Sequence, residues 1–361
     1  MSKEHLVIFH INTEKGMRGG EMQTLHLVRG LQQRGHENCI FARPGSRILQ
    51  EARASNISCF TLPMRGEWDL ISGRTLRRLV DVQKPDILHA HTAHACSIAL
   101  MARWPDRIPS IVFSRRAAFP AKKTLLRRKL KHVDALLAVS QTVRNQLLEA
   151  GIPSQKIFVA ESGSDFSQLD SSPDRATSRN ELGLPHDAFV IGNISFFDEE
   201  KGQEHLIRAF CEFAKNQPRA HLLLVGEGPT KSRCQDLARQ LECNQRVLFT
   251  DYRSDVERIY PSMDLFFLSS SREGLSGVLR EAMAVGIPVV AVRQPSTEEQ
   301  VRSGILVSCD PNEWREALQK LFDHSELRSE LAENAKKRAR EFTIDAMVEK
   351  TEDCYRKVLK L

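Results

Sequence analysis

The stretch from Asp264 to Val292, DLFFLSSSREGLSGVLREAMAVGIPVVAV, most constrains what this chain can fold into. Leu265 to Leu268 and Val289 to Val292 are short unbroken apolar runs, the pattern of parallel strands covered on both faces. Two parallel strands need a crossover between them. Val278 to Val285 supplies a helix with Val278, Leu279, Ala282, Met283 and Val285 on one side, stopped by Gly286 with Pro288 beyond. The connection ahead of that helix, SSSREGLSG, lies at the carboxyl end of a strand, where open α/β sheets place ligands. Glu273 and Glu281 flank it. With the helix starting near Gly277, Glu281 lies about 6 Å along the axis and leans back toward the amino end, so both acids can face the mouth of the turn. The amides of Gly274, Leu275, Ser276 and Gly277 would favour an anion there, such as a diphosphate. Carboxylates repel phosphate, and hydroxyls of a flanking ribose and sugar are their natural partners.

The rest of the chain keeps the same rhythm. Leu6 to Ile11 reads as a strand, and a loop ending in RGGE leads into a helix from Glu21 to Arg34. Gly19 and Gly20 would let backbone approach a phosphate or sugar, or simply make a tight turn. The strand Asp86 to Ala90 runs into HAHTAH, which puts His89, His91 and His94 at a carboxyl edge. No acid or cysteine stands nearby to complete a metal shell, so one histidine lining a sugar pocket is the expectation and a metal is not. Ile111 to Phe113 is a strand followed by Arg115 and Arg116, then by the basic helix AKKTLLRRKLKHVD. Ser162 to Pro185, rich in Ser, Asp, Gly and Pro, reads as a linker region. After it come a strand from Val190 to Ile194, a loop ending in EEKG with Lys201, a helix from Gln203 to Asn216, and a strand from His221 to Val225 followed by GEGP. A helix from Ser254 to Tyr260 is predicted just before the opening stretch, and three helices close the chain.

A length of 361 residues exceeds what one core usually fills, so two domains are the default. Eight cysteines without a C-x-x-C pair point to a reducing compartment, with neither a zinc site nor a disulfide frame. No apolar run approaches a membrane span and no signal-peptide pattern opens the chain, so a cytoplasmic protein is expected. Residues 1–160 carry 25 Lys/Arg against 12 Asp/Glu. That basic half suits an anionic membrane surface or an acidic acceptor. The basic helix lacks the aromatics that stack bases, which argues against nucleic acid.

With these residues laid out, the sequence resembles the retaining glycosyltransferases of family 4, group 1. The resemblance rests on RGGEMQTLHLVRGLQQRGHE, PDILHAHTAH, SGSDF, the KG of Lys201, LLLVGEGP and EGLSGVLREAMAVGIPVV, with the family's E-x7-E present as Glu273 and Glu281. It implies an α/β protein of GT-B fold: two Rossmann-like domains with parallel sheets facing across a cleft and a C-terminal helix crossing back to the first domain. The corresponding boundaries are 1–165 for the acceptor side, 166–185 for the linker, 186–341 for the donor side and 342–361 for the returning helix. It implies transfer of a sugar from a nucleotide-diphosphate sugar to a glycan or lipid-linked glycan, as in lipopolysaccharide or other surface polysaccharide synthesis, with no cofactor and no metal. Carried over by position, Glu273, Lys201 and His91 are the catalytic candidates. Glu281, Gly274, Leu275, Ser276, Gly277, Gly226, Tyr252 and Arg272 are donor-binding candidates. Gly19, Gly20, Arg115 and Arg116 form the acceptor or phosphate loop. Partners would be the donor, the acceptor and the inner face of the plasma membrane, touched peripherally. Three departures stand out: Phe196 where many members have an arginine, Asp251 where many have glycine, and RQPSTEEQ without the usual glycine pair. They keep open an inactive nucleotide-sugar-binding homologue, and a GT-B sugar-nucleotide epimerase is the other alternative.

Overall fold

The computed structural model describes residues 4–16, 19–66, 69–103, 109–116, 129–272, 275–302 and 304–361. The chain forms two compact units, one of residues 1–163 with 344–361 and one of residues 164–343.

Unit 1 is built on a seven-stranded parallel sheet ordered β3-β2-β1-β4-β5-β6-β7. Its strands are β1 (Val7–Ile11), β2 (Glu37–Ala42), β3 (Ser58–Thr61), β4 (Ile87–Ala90), β5 (Ser110–Arg115), β6 (Ala135–Ala138) and β7 (Ile157–Val159). β1 and β4 are neighbours but not consecutive, so the order reverses between them and their carboxyl ends open a crevice. The first helix, Gly19–Gln33, buries Leu27 and Leu31 with Leu6, Ile8, Met347, Val348 and Tyr355. The last helix, Ile344–Leu359, therefore completes the unit 1 core. The close approach of these two helices depends on Gly30, where an added Cβ would come within 2.4 Å of Val348 Cγ2. Gly30→Val is expected to lower the unfolding free energy by about 1–3 kcal/mol through overpacking. An unchanged urea midpoint would show that the helix pair has slack there.

Unit 2 carries a six-stranded parallel sheet ordered β10-β9-β8-β11-β12-β13. The strands are β8 (Phe189–Ile194), β9 (Ala220–Val225), β10 (Val247–Thr250), β11 (Leu265–Leu268), β12 (Val289–Val292) and β13 (Ile305–Val307). Its reversal falls between β8 and β11. Both units are Rossmann-like, as the sequence predicts. The opening stretch folds as read, with β11, a helix at Gly277–Val285 and β12.

Four expectations need correction. The segment 166–185 is part of unit 2: Asp174 caps a helix at Arg175–Leu182, and buried Arg179 donates to the Asp264 carboxylate at 2.8 Å and to the Ser262 carbonyl at 3.1 Å. A polar composition masked this helix because its two buried side chains, Ser178 and Arg179, are polar or charged. Ser254 to Tyr260 is not a helix; two 3₁₀ turns, Val256–Arg258 and Tyr260–Ser262, replace it, with Pro261 in the second. Cys211 and Cys243 are joined by a disulfide across a separation of 32 residues, too long for a spacing motif to announce. Lys129 of the basic helix is buried and donates to Ser97 Oγ at 2.8 Å, so it adds nothing to a charged face. Residues 117–128, which hold the rest of that cluster except Lys131, lie outside the described residues.

Candidate active site

In unit 2 the reversal point is closed by two loops stitched together. After β8, Asp198 accepts from the amides of Glu200 (2.9 Å) and Lys201 (3.0 Å), forming the 3₁₀ turn Glu199–Lys201. Gly202 follows with φ of 69°, and a Cβ there would lie 2.4 Å from the Ser269 carbonyl oxygen. From the loop after β11, Ser269 Oγ donates to the Lys201 carbonyl (2.6 Å) and the Ser271 amide to the Glu200 carbonyl (2.8 Å). Lys201 is thereby fixed to the loop that leaves β11. Gly226 belongs to the same construction: with φ of 144°, its Cβ position falls 2.1 Å from the Ser195 carbonyl, so the GEGP loop needs glycine to pack on the end of β8.

Ser276 caps the helix Gly277–Val285 by accepting from the Leu279 amide. Glu281 Oε1 lies 3.9 Å from the Cβ position of Gly277, so its carboxylate does reach back over the helix start. Its Oε2 accepts from the Tyr260 hydroxyl at 2.8 Å. Burial and the neighbouring Glu281 charge push the Tyr260 phenol well up, which keeps the proton on the donor. Tyr260 was not among the residues singled out from sequence; its only signal was being one of three tyrosines in the chain. Glu273 and Gly274 lie outside the described residues.

Two of the departures from the expected pattern, Asp251 and the RQPSTEEQ segment, have local explanations. Asp251 pairs with Lys231 Nζ at 2.6 Å, and that ammonium also donates to the carbonyls of Gly226 (3.0 Å) and Thr250 (2.7 Å). Gln294 of RQPSTEEQ sends Nε2 to the Ser270 carbonyl (2.6 Å), bracing the turn from the next loop. Phe196 and Tyr252 are exposed, and exposed Arg272 reaches Glu200 at 3.4 Å beside the Lys201 turn.

In unit 1 the crevice between β1 and β4 is lined by histidines. Register pairs His10 with His89 on the adjoining strands, and His91 follows two residues later on the same side. The three bring one ring nitrogen each within 4.8 Å of one another, all buried. Sequence reasoning anticipated His89 and His91 and missed His10, although a histidine inside the apolar strand VIFHI was a visible signal. His94 stands on the next helix, 3.5 Å from Arg43. Gly19 and Gly20 open the first helix; a Cβ on Gly19 meets nothing within 4 Å, and one on Gly20 meets Arg116 Cδ at 3.6 Å. No packing in the described structure demands glycine at Gly19. Arg115 ends β5, and Arg116 follows it beside the histidines, with burial lowering its guanidinium to about 10 against the raising charge of Glu21.

Burial also lowers all three histidines, His10 to about 4, so they are neutral at pH 7. As pH falls below 6.5 the unfolded chain binds protons that these rings refuse while folded, and stability is lost. The expected slope is at most about 1.4 kcal/mol per pH unit for each ring. Urea midpoints at pH 7.5 and 5.5 check this, and His10→Gln should show the smaller fall; equal falls would mean that His10 is not held neutral.

The model of the "Glycosyltransferase Family 4" domain matches residues 17–168, and that of "Glycosyl transferases group 1" matches residues 174–338. The D-inositol 3-phosphate glycosyltransferase of Corynebacterium jeikeium is 33% identical over 348 residues, covering 88% of this chain and 80% of the relative. The chain belongs to the family 4, group 1 glycosyltransferases. This glycosyltransferase is also similar to the lipopolysaccharide core biosynthesis glycosyltransferase LpsE of Rhizobium meliloti, 25% identical over 330 residues, covering 87% of this chain and 88% of that one. Its fold matches the crystal structure of Anabaena HepE in complex with UDP and glucose, with a TM-score of 0.71 and 19% identity over 97% of this chain and 99% of that one. Among the described residues no helix is long and apolar enough to cross a membrane.

Proposed function

We propose that this glycosyltransferase moves a sugar from a nucleoside-diphosphate sugar onto an anionic glycan or glycolipid acceptor of a bacterial surface polysaccharide, with retention of configuration and without a metal. The observation that carries the donor half is the Lys201 turn stitched to the Ser269–Gly277 loop at the unit 2 reversal. A lysine and helix-start amides oppose the charge that develops on a departing diphosphate. Glu281, oriented by Tyr260, accepts from the donor ribose, and Glu273 from the sugar hydroxyls. The leaving phosphate takes the acceptor proton, so no side-chain nucleophile is needed. Gly19, Gly20, Arg115 and Arg116 serve the acceptor side. One relative is named for an inositol phosphate, an anionic molecule, and an acceptor of that kind suits the 25 Lys/Arg against 12 Asp/Glu of residues 1–160. The same charge favours peripheral contact with an anionic membrane.

The test is a panel of UDP-, GDP- and ADP-sugars, read by thermal stabilisation and by slow hydrolysis in the presence of EDTA. At least one donor should respond, and transfer should preserve the anomeric configuration. Silence across the panel, or acceptor-independent interconversion of the free sugar nucleotide, would overturn the proposal.

A further inference from the structure

The histidines at the unit 1 crevice are joined by a directional chain of hydrogen bonds. Asn38 Nδ2 donates to the His36 carbonyl at 2.9 Å, and since a carbonyl only accepts, the amide's orientation is fixed with Oδ1 on its other side. That Oδ1 lies 2.9 Å from His10 Nε2, so His10 Nε2 carries the proton. A neutral His10 then has a bare Nδ1, which lies 3.1 Å from His91 Nε2. His91 Nε2 must donate, and the remaining His91 nitrogen, Nδ1, is a lone pair. Five of the six ring nitrogens in the cluster are occupied within the protein, His89 by Tyr355 (2.6 Å) and Ser114 (2.8 Å). His91 Nδ1 is the exception: it is buried and has no hydrogen-bond partner among the described residues.

We propose that Asn38 and His10 are positioning residues that lock His91 as its Nε2–H tautomer, making the buried Nδ1 a fixed acceptor for a hydroxyl of the bound sugar. The family resemblance points to His91 alone; the two residues behind it and the direction of the proton come from the geometry. The chemistry is selective. A lone pair with no proton accepts from a hydroxyl and cannot donate to a phosphate oxygen, so it distinguishes the sugar from the diphosphate. A buried acceptor without a partner is costly, and a ligand hydroxyl removes that cost on binding. Arg116 supplies a complement, since its Nε is also buried without a hydrogen-bond partner and it lies close enough to act on His91 electrostatically. A hydroxyl can donate to one such atom and accept from the other. The burial that keeps all three rings neutral preserves the tautomers across physiological pH. A metal ion at the cluster is disfavoured because it would have to displace the Asn38, Tyr355, Ser114 or inter-ring bonds.

The ligand assignment rests on the proposed donor reading; the tautomer lock does not. The experiment is nitrogen-15 NMR of the full chain labelled at histidine. At pH 7.5, His10 and His91 should both show a protonated Nε2 and an unprotonated Nδ1. A protonated Nδ1 on His91 would overturn the lock, as would Zn²⁺ binding that shifts all three rings at stoichiometric metal. Asn38→Leu should leave His91 as a mixture of tautomers. His10→Gln, whose amide still offers one donor and one acceptor, should keep His91 in the Nε2–H form, so a misfolded Asn38 variant does not remove the test. A sugar nucleotide that stabilises the protein should move the His91 Nδ1 resonance upfield; stabilisation without that shift overturns the acceptor role. A panel with no stabilising sugar nucleotide counts against the proposed function, while the tautomers still decide the lock.

Discussion

Lys201→Ala is expected to lower kcat by roughly 10²- to 10³-fold, the cost typical of removing a preorganised group that stabilises developing negative charge. Fold should survive, because the backbone on both sides of Lys201 is held without its ammonium. Asp198 caps the turn, and Ser269 and Ser271 hold the carbonyls of Lys201 and Glu200. The variant should therefore melt close to the parent while its turnover collapses. Steady-state rates with the sugar nucleotide that responds in the donor panel decide this. Lys201→Arg should recover only part of the rate, since a planar fork cannot reproduce a compact point charge on a flexible four-carbon stem. Arg272→Ala is the internal comparison. Its side chain is 73% exposed and the acid it pairs with among the described residues, Glu200, stands 3.4 Å away, so water screens it and the loss should be no more than a few-fold. If Lys201→Ala keeps its rate within about threefold of the parent, the diphosphate is held elsewhere and the donor assignment fails.

The fold was legible because most of its parallel strands write themselves as apolar runs: with the seven named above from sequence, the runs Cys39 to Ala42, Cys59 to Leu62, Ala135 to Val139 and Val247 to Thr250 make eleven of the thirteen. The two that escaped, Ile157–Val159 and Ile305–Val307, are three residues long and lie at sheet edges. The donor turn was legible for a local reason: its glycines, serines and acids are close in sequence, so spacing alone brings them together. What sequence could not supply are partners made by the sheet. Tyr260 meets Glu281 only because the 3₁₀ turn before β11 is packed against the helix after it. His10 meets His91 across 81 residues, because β1 and β4 are adjacent. Asp251 looked like the loss of a family glycine, and Lys231 from the preceding helix, Lys231–Gln240, explains it. Arg175 and Arg179 were hidden in a stretch whose composition spelled linker, although both tie that stretch to Asp264.

Glu281→Gln should weaken donor binding by roughly 10- to 100-fold, the range expected when a charged acceptor in a hydrogen bond becomes neutral. The change is nearly isosteric, and the glutamine carbonyl can still accept from the Tyr260 hydroxyl, so position is kept while charge is lost. Tyr260→Phe makes the opposite test. It keeps the carboxylate charge and releases its orientation, leaving Glu281 to move away from the helix start; its expected loss is smaller, about 3- to 10-fold. Because both act on one carboxylate, the double variant should bind better than the product of the two losses predicts. Calorimetry with the responding sugar nucleotide measures all three. The ribose assignment is separable from a general loss of fit: an analogue lacking the 2′ and 3′ hydroxyls should bind the parent and Glu281→Gln almost equally, since the group that Glu281 recognises is gone. If the analogue still distinguishes them by tenfold or more, Glu281 acts on another part of the donor.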